Sequence, residues 1–347
     1  MCTGCDQGAR DDEVGHGPAL HLVASYPADG QGTNAAPGAD VTCDVPTPDC
    51  PVPTNASIQL RFDRFLRPSG GFGAGFSLYS GNPPANGIGF DVEYDLIERV
   101  VLIHPTRALQ PHTLYTVELV PNANVNAGFW AFDRAPLVEG AVPLSFSFTT
   151  GSGPAQPPPP RTALADTCET MTQGPFGTCA NCHATSDEAS TTPPLNYPPM
   201  GLDLSNARGL YYTAVNHVAH QTETGSSATN EGLQTPSRFG VQMNIVDPGN
   251  PATSYLMYKL LQKPENYKLA PNEPECVNRF HPPVSDGGCS APDAAELARL
   301  REWFVRGEAM PKNGFNAQTG QPVLASTNHA NLVRIAAWIA SGAACPQ

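Results

Sequence analysis

The run Gly151-Ser152-Gly153-Pro154-Ala155-Gln156-Pro157-Pro158-Pro159-Pro160 divides the chain more sharply than any other feature. Proline has no backbone N–H and a fixed φ, so such a run can enter neither a helix interior nor a central sheet ladder. Four consecutive prolines favour an extended spacer rising ~3.1 Å per residue. The chain of 347 residues is long enough for two domains of ordinary size. We therefore take residues 151–160 as a linker, 20–150 as one folded domain and 161–347 as another. Residues 1–19, with Asp6, Asp11, Asp12 and Glu13 among Gly and Pro, read as a flexible tether.

The first half is punctuated by turns and carries short alternating stretches. Leu20 to Tyr26 runs into the turn Pro27-Ala28-Asp29-Gly30, and Ser57 to Asp63 alternates apolar and polar residues. So do Gly89 to Tyr94, Arg99 to Ile103, Tyr115 to Val120 and Leu144 to Thr149. Several short strands with no helical period between them predict an antiparallel sandwich. His104 and His112 lie beside prolines at turn or edge positions and receive no role. No catalytic constellation stands out here, and a spacer is the plain reading.

The second half is organised around Cys179-Ala180-Asn181-Cys182-His183. Two thiols three apart followed at once by an imidazole is the pattern of covalent haem attachment. Each thiol adds to one vinyl group of the porphyrin, and the two intervening residues let both sulfurs reach one edge of the ring. The adjacent His183 can then supply an axial ligand to iron. The rival readings are a structural disulfide or half of a zinc site. Zinc asks for a second ligand pair of similar spacing, and the second half holds no other Cys-x-x-Cys. Helices are expected over Arg161 to Met171, from the N-cap Ser205 to about His220, over Ala252 to Leu261, over Asp293 to Arg306, and over Thr327 to Ala340.

Ten cysteines are too many for a reducing cytosol. With Cys179 and Cys182 given to haem, three disulfides can be drawn from six others. Cys43 and Cys50 bracket a proline-rich loop, Cys276 and Cys289 a second loop, and Cys168 and Cys345 stand near the two ends of the second half. Covalent haem attachment follows export, so a trimmed export signal is expected, with the protein periplasmic or on the cell surface. Cys2-Thr3-Gly4-Cys5-Asp6 looks like the end of a bacterial lipoprotein signal, which would place a lipid anchor on Cys5 and make that anchor the only membrane contact. The net charge of −13, without a basic cluster, argues against a nucleic-acid partner.

Two resemblances sharpen these expectations. Ser25 to Gly30, Ile58 to Phe65, Arg99 to Pro105, Leu109 to Val117 and Phe146 to Thr150 resemble, in their order, the bacterial Ig-like domains of surface proteins; Val41 to Pro53 is an insertion. After the attachment motif, Gly201-Leu202-Asp203-Leu204, Val246 to Leu256, Gly307 to Pro311 and Leu332 to Ala343 resemble the class I cytochrome c family. The fold class these imply is multidomain, an all-β Ig-like sandwich plus an all-α cytochrome c-like domain. They also imply one haem c, with His183 as the proximal ligand and Met310, before Pro311, as the distal one. His217, His220 and His281 compete for that distal place, and Met200, Met243 and Met257 are poorer candidates. In the cytochrome c fold the first and last helices cross, which would bring Cys168 and Cys345 together.

The function implied is an exported monohaem electron carrier serving redox partner proteins or a respiratory or surface assembly, and not an enzyme. The alternatives are a haem-based sensor, a peroxidase-like enzyme with an exchangeable sixth ligand, or a surface-binding protein.

Overall fold

The computed structural model describes residues 17–39, 46–68, 71–81, 87–121, 128–155, 166–181, 183, 201–219, 243–268, 291–301, 305, 309–311, 314–315, 322–323 and 327–346. The chain separates into two compact units. The described residues up to 155 belong to one, and those from 166 onward to the other.

The first unit is built from two sheets. Strands β1 (Leu20–Tyr26), β2 (Ile58–Phe62), β4 (Phe90–Asp95), β5 (Val100–Pro105) and β7 (Leu137–Val138) form a five-stranded sheet in the order β4-β5-β2-β1-β7. Its pairs are antiparallel except the short parallel contact of β1 with β7, Leu20 opposite Leu137. Strands β3 (Phe76–Ser80), β6 (Leu114–Leu119) and β8 (Ser145–Thr149) form an antiparallel three-stranded sheet in the order β3-β6-β8. Aromatic side chains fill the interior. Phe62 and Phe72 stack on Phe129 at 5.3 and 5.9 Å between ring centroids, and Tyr115 stacks on Phe148 at 5.7 Å.

Strand β2 departs from a half-buried pattern: all five of its residues are buried, Gln59 and Arg61 included. A central strand covered on both faces must find partners for such groups. The Arg61 guanidinium lies 3.9 Å from the Glu98 carboxylate. Just beyond β2, Arg64 makes a two-point contact with Asp133 at 2.7 and 3.1 Å, also donates to the Pro18 carbonyl, and lies over the Phe132 ring.

Among its described residues the second unit holds five short helices: α1 (Cys168–Gln173), α2 (Ala207–Thr213), α3 (Tyr255–Leu261), α4 (Ala294–Arg299) and α5 (His329–Ala340). An antiparallel pair, β9 (Gly314–Phe315) with β10 (Pro322–Val323), and isolated bridges Val215↔Val246, Val218↔Asn244 and Asn244↔Ser254 lie among them. Cys168 and Cys345 are joined by a disulfide, their Cα atoms 4.8 Å apart. The same junction holds a Cys168 N–H bond to the Ala344 carbonyl at 2.9 Å and a two-point Arg334–Asp166 ion pair at 2.6 and 2.8 Å. Cys50 is also disulfide-bonded. No helix among the described residues is long and apolar enough to cross a membrane.

This architecture corrects the expected fold class. Among the described residues the protein is mainly β, and no all-α cytochrome c-like domain is evident: four of the five helices span six or seven residues. The identification as an Ig-like domain followed by a class I cytochrome c-like domain falls with it, because short phrases in the right order did not carry the helices they implied. The helix expected from Ser205 to His220 shows why. It is capped by Asn206, whose side chain accepts from the Gly209 N–H, and it stops at Thr213. Asn216 then takes a left-handed φ of 60°, and the β-branched Val215 and Val218 enter bridges to 244–246.

Candidate functional site

The segment leading to Cys179 is fixed by packing and by a close approach. Thr167 caps α1 in a reciprocal capping box with Thr170. The helix ends at Gly174, where Arg334 crosses the chain: a Cβ there would lie 2.9 Å from both an Arg334 nitrogen and the Thr170 carbonyl. Pro175 and Phe176 then turn inward. Phe176 is buried edge-on against Trp338 of α5, 6.2 Å between centroids.

The motif hangs from this anchor. The Cys179 and Ala180 N–H groups both donate to the Phe176 carbonyl, at 2.8 and 3.2 Å. Cys179–Asn181 is a 3₁₀ turn, and the His183 N–H donates to the Cys179 carbonyl at 2.9 Å. An i to i+4 bond of this kind sets positions 179 and 183 one helical turn apart, on one side of the chain. The His183 carbonyl accepts from the Leu204 N–H at 2.7 Å, so its main chain is held from both directions. Leu204 belongs to a turn organised by the buried Asp203, whose carboxylate accepts from the Ser205 N–H and hydroxyl at 2.9 and 2.6 Å. The Cys179 and His183 side chains are half-buried.

These features fit covalent haem in their donor chemistry. A thiol and an imidazole stand four residues apart, linked by the His183 N–H bond to the Cys179 carbonyl, and Phe176 before them is buried against Trp338. Cys182 lies outside the described residues. Among the described residues no group of three or more His, Cys, Asp or Glu could hold a metal ion.

Met310 stands on a separate segment, packed against α3 and the 3₁₀ turn Pro264–Tyr267. Its N–H donates to the Lys259 carbonyl at 3.3 Å, and its carbonyl accepts from Asn266 at 2.9 Å. The Met310 side chain is half-buried, whereas Met171, Met243 and Met257 are buried to 1 % exposure or less. The motif and Met310 belong to the same unit but are held by different elements.

Of the competing histidines, His217 is exposed and lies past the end of α2. His220, His281 and Met200 lie outside the described residues, as do Cys2, Cys5, Cys43, Cys276 and Cys289.

Sequence reading missed the groups that hold the site in place: Phe176 against Trp338, Asp203 beneath Leu204, and Asn266 on the Met310 carbonyl. The one available signal was Gly174-Pro175-Phe176-Gly177, a turn with an aromatic residue at its centre. In the first unit, a cleft of about 360 Å³ is lined by small residues of 32–39, by 149–152 and by His112. The lining residues are mostly small and uncharged, with a single imidazole, and we assign the cleft no chemistry.

No protein-family model matches the chain, and no curated protein matches it. Among solved structures, the chain is similar to the N-terminal part of the bacterial S-layer protein SbsC at 10 % identity and TM-score 0.25, covering 39 % of this chain and 24 % of that one. It is also similar to Mycobacterium tuberculosis L,D-transpeptidase 1 at 15 % identity and TM-score 0.19, covering 35 % of this chain and 40 % of that one. The chain thus spans about a quarter of that S-layer structure, and overlaps as slight as these two bear on neither fold nor function.

Proposed function

We propose that the protein carries one covalently attached haem c and passes single electrons to redox partner proteins outside the cytoplasm. The observation that carries this reading is the Cys179-Ala180-Asn181-Cys182-His183 motif on a turn in which the His183 N–H bonds back to Cys179 at 2.9 Å. Cys179 and Cys182 would hold the porphyrin by thioether bonds, and His183 and Met310 would supply ligands to its iron. Haem supplies, when bound, a one-electron ferric/ferrous couple. A thioether opposite an imidazole favours the ferrous state and raises the potential. Met310 is half-buried where Met171, Met243 and Met257 are buried, which supports this role. Export to the periplasm or cell surface is supported by the disulfides at Cys168–Cys345 and Cys50, which persist in oxidising compartments.

The test is spectroscopic. Protein matured in an exporting host should gain the mass of one haem that survives acid-acetone extraction. Its ferrous spectrum should be low-spin and unchanged by CO. Colourless protein with Cys179 bonded to Cys182 would overturn the reading. Ready CO binding would replace the carrier with a sensor or a peroxidase-like enzyme.

A further inference from the structure

Directly after α3, three polar side chains turn into the interior of the second unit and grip main chain that is distant in sequence. Gln262 is fully buried, and its Nε2 donates to the Val305 carbonyl at 2.6 Å. Lys263 is 6 % exposed, and its Nζ donates to the Pro311 carbonyl at 2.8 Å. Asn266 is fully buried; its Nδ2 donates to the Leu260 and Met310 carbonyls at 2.7 and 2.9 Å, and its Oδ1 accepts from the Thr327 N–H at 3.0 Å. With the Met310 N–H on the Lys259 carbonyl, three hydrogen bonds converge on the dipeptide Met310–Pro311.

Burying an ammonium is costly, and loss of water around Lys263 pushes its pKa down, against the pull of Glu265. A lysine tolerates such a place when its hydrogen bonds are needed there. The bonds leave the Met310 thioether untouched and fix only the backbone that carries it.

We propose that Lys263 and Asn266 are positioning residues that hold the Met310–Pro311 main chain so that the thioether meets iron in one place. This rests on the reading of Met310 as an axial ligand. A thioether is a weak ligand, and its hold depends on how rarely its loop opens. Two side-chain bonds to consecutive carbonyls make that opening rare. Without them the sixth position would exchange with water or added ligands.

The variants are Lys263→Met, which keeps the stem but loses the donor, and Asn266→Asp, which keeps the acceptor for Thr327 and loses both donations. In the whole haem-loaded chain, each should weaken the red ferric charge-transfer band, lower the potential and speed binding of CO or imidazole by about tenfold, the size of one lost net hydrogen bond. Hydrogen exchange at the Met310 amide should rise by a similar factor, about tenfold, a readout independent of electron transfer. Lys263→Arg should restore part of the band, because a donor returns to the Pro311 carbonyl.

Met310→Ala separates this inference from the reading beneath it. If Met310→Ala abolishes the band while Lys263→Met and Asn266→Asp leave band, potential and exchange unchanged, the positioning role is overturned and the ligand stands. If Met310→Ala leaves the band intact, both are overturned. A fold lost in Asn266→Asp leaves the outcome with Lys263→Met, where an apolar stem replaces a buried charge without new strain.

Discussion

The two units satisfy buried polar groups differently. In the first, Arg64 meets Asp133 side chain to side chain, within 2.7 Å and at 4 % and 6 % exposure. There charge answers charge, while Arg64 also donates to the Pro18 carbonyl and Asp133 accepts from the Ala135 N–H. In the second, short helices leave many carbonyls at their ends without partners inside the helix. Gln262, Lys263 and Asn266 therefore spend their donors on main chain, at Val305, Pro311, Leu260 and Met310. The sheet unit would keep its path if one such pair were lost. The second unit owes the path of its backbone, and so the placing of the candidate site, to a few side chains and one disulfide.

The strongest way to break this contrast is to cut the staple. Cys168→Ser with Cys345→Ser opens a loop spanning a separation of 177 residues. Loop-closure entropy puts its contribution at about 5 kcal/mol, and the loss should fall on the second unit alone. Unfolding followed at Trp338 would read it. A loss below about 1 kcal/mol would mean that the Asp166–Arg334 pair and the Phe176–Trp338 contact close the unit without the staple.

The next largest effect belongs to the first unit. Asp133→Ala strands Arg64 as a buried cation and should cost about 3–5 kcal/mol. Replacing Arg64 and Asp133 together by apolar residues should cost far less, since a buried pair is weak net evidence for stability. Equal losses for the single and double variants, measured by denaturant unfolding, would show that the pair holds the Pro18 and Phe132 contacts in place and not merely its own charges.

What could be read in the sequence follows the same division. Phe146 and Phe148 alternate with serines, and both are buried in β8. Period-two patterning is local, so it was legible. β7 was not, because its two residues gain their place from a contact of Leu20 with Leu137 that no period reveals. β3 follows the glycine-dense stretch 70–75, which hides its alternation. The polar residues of β2 looked solvent-facing, yet cover on both faces buries Gln59 and Arg61. In the second half the Cys179-to-His183 motif stands out because covalent haem attachment would need that fixed spacing. Asn266 was not, since its partners lie 44 and 61 residues away and are main-chain atoms that every residue possesses. The Cys168–Cys345 pair was drawn from the places of the two residues near the ends of the second half, and the disulfide forms, although the helix crossing offered as its reason falls with the cytochrome c-like fold. Asp166, Arg334 and the Cys168 N–H on Ala344 join the same ends.

The smallest effect tests that junction by pH. The Arg334 hydrogen bond to Asp166 holds its carboxyl below the usual range, against burial, with further help from the Thr170 hydroxyl. A carboxylate whose folded pKa is depressed stabilises the fold fully above its unfolded value, about 3.9, and loses that contribution as pH falls through the lower folded value. Arg334 is about one-third exposed, so solvent screens the pair. We expect Asp166→Asn to cost about 1 kcal/mol at neutral pH. The difference from the parent should shrink to nothing as Asp166 itself becomes protonated in acid. It should also be smaller in the Cys168→Ser/Cys345→Ser background if staple and ion pair share the task of closing one junction, and additive if they act alone. Stability measured from neutral pH into acid for the four proteins distinguishes the cases. A cost that stays constant across that range would mean that Asp166 acts by packing and hydrogen bonding to Thr170, not by its charge on Arg334.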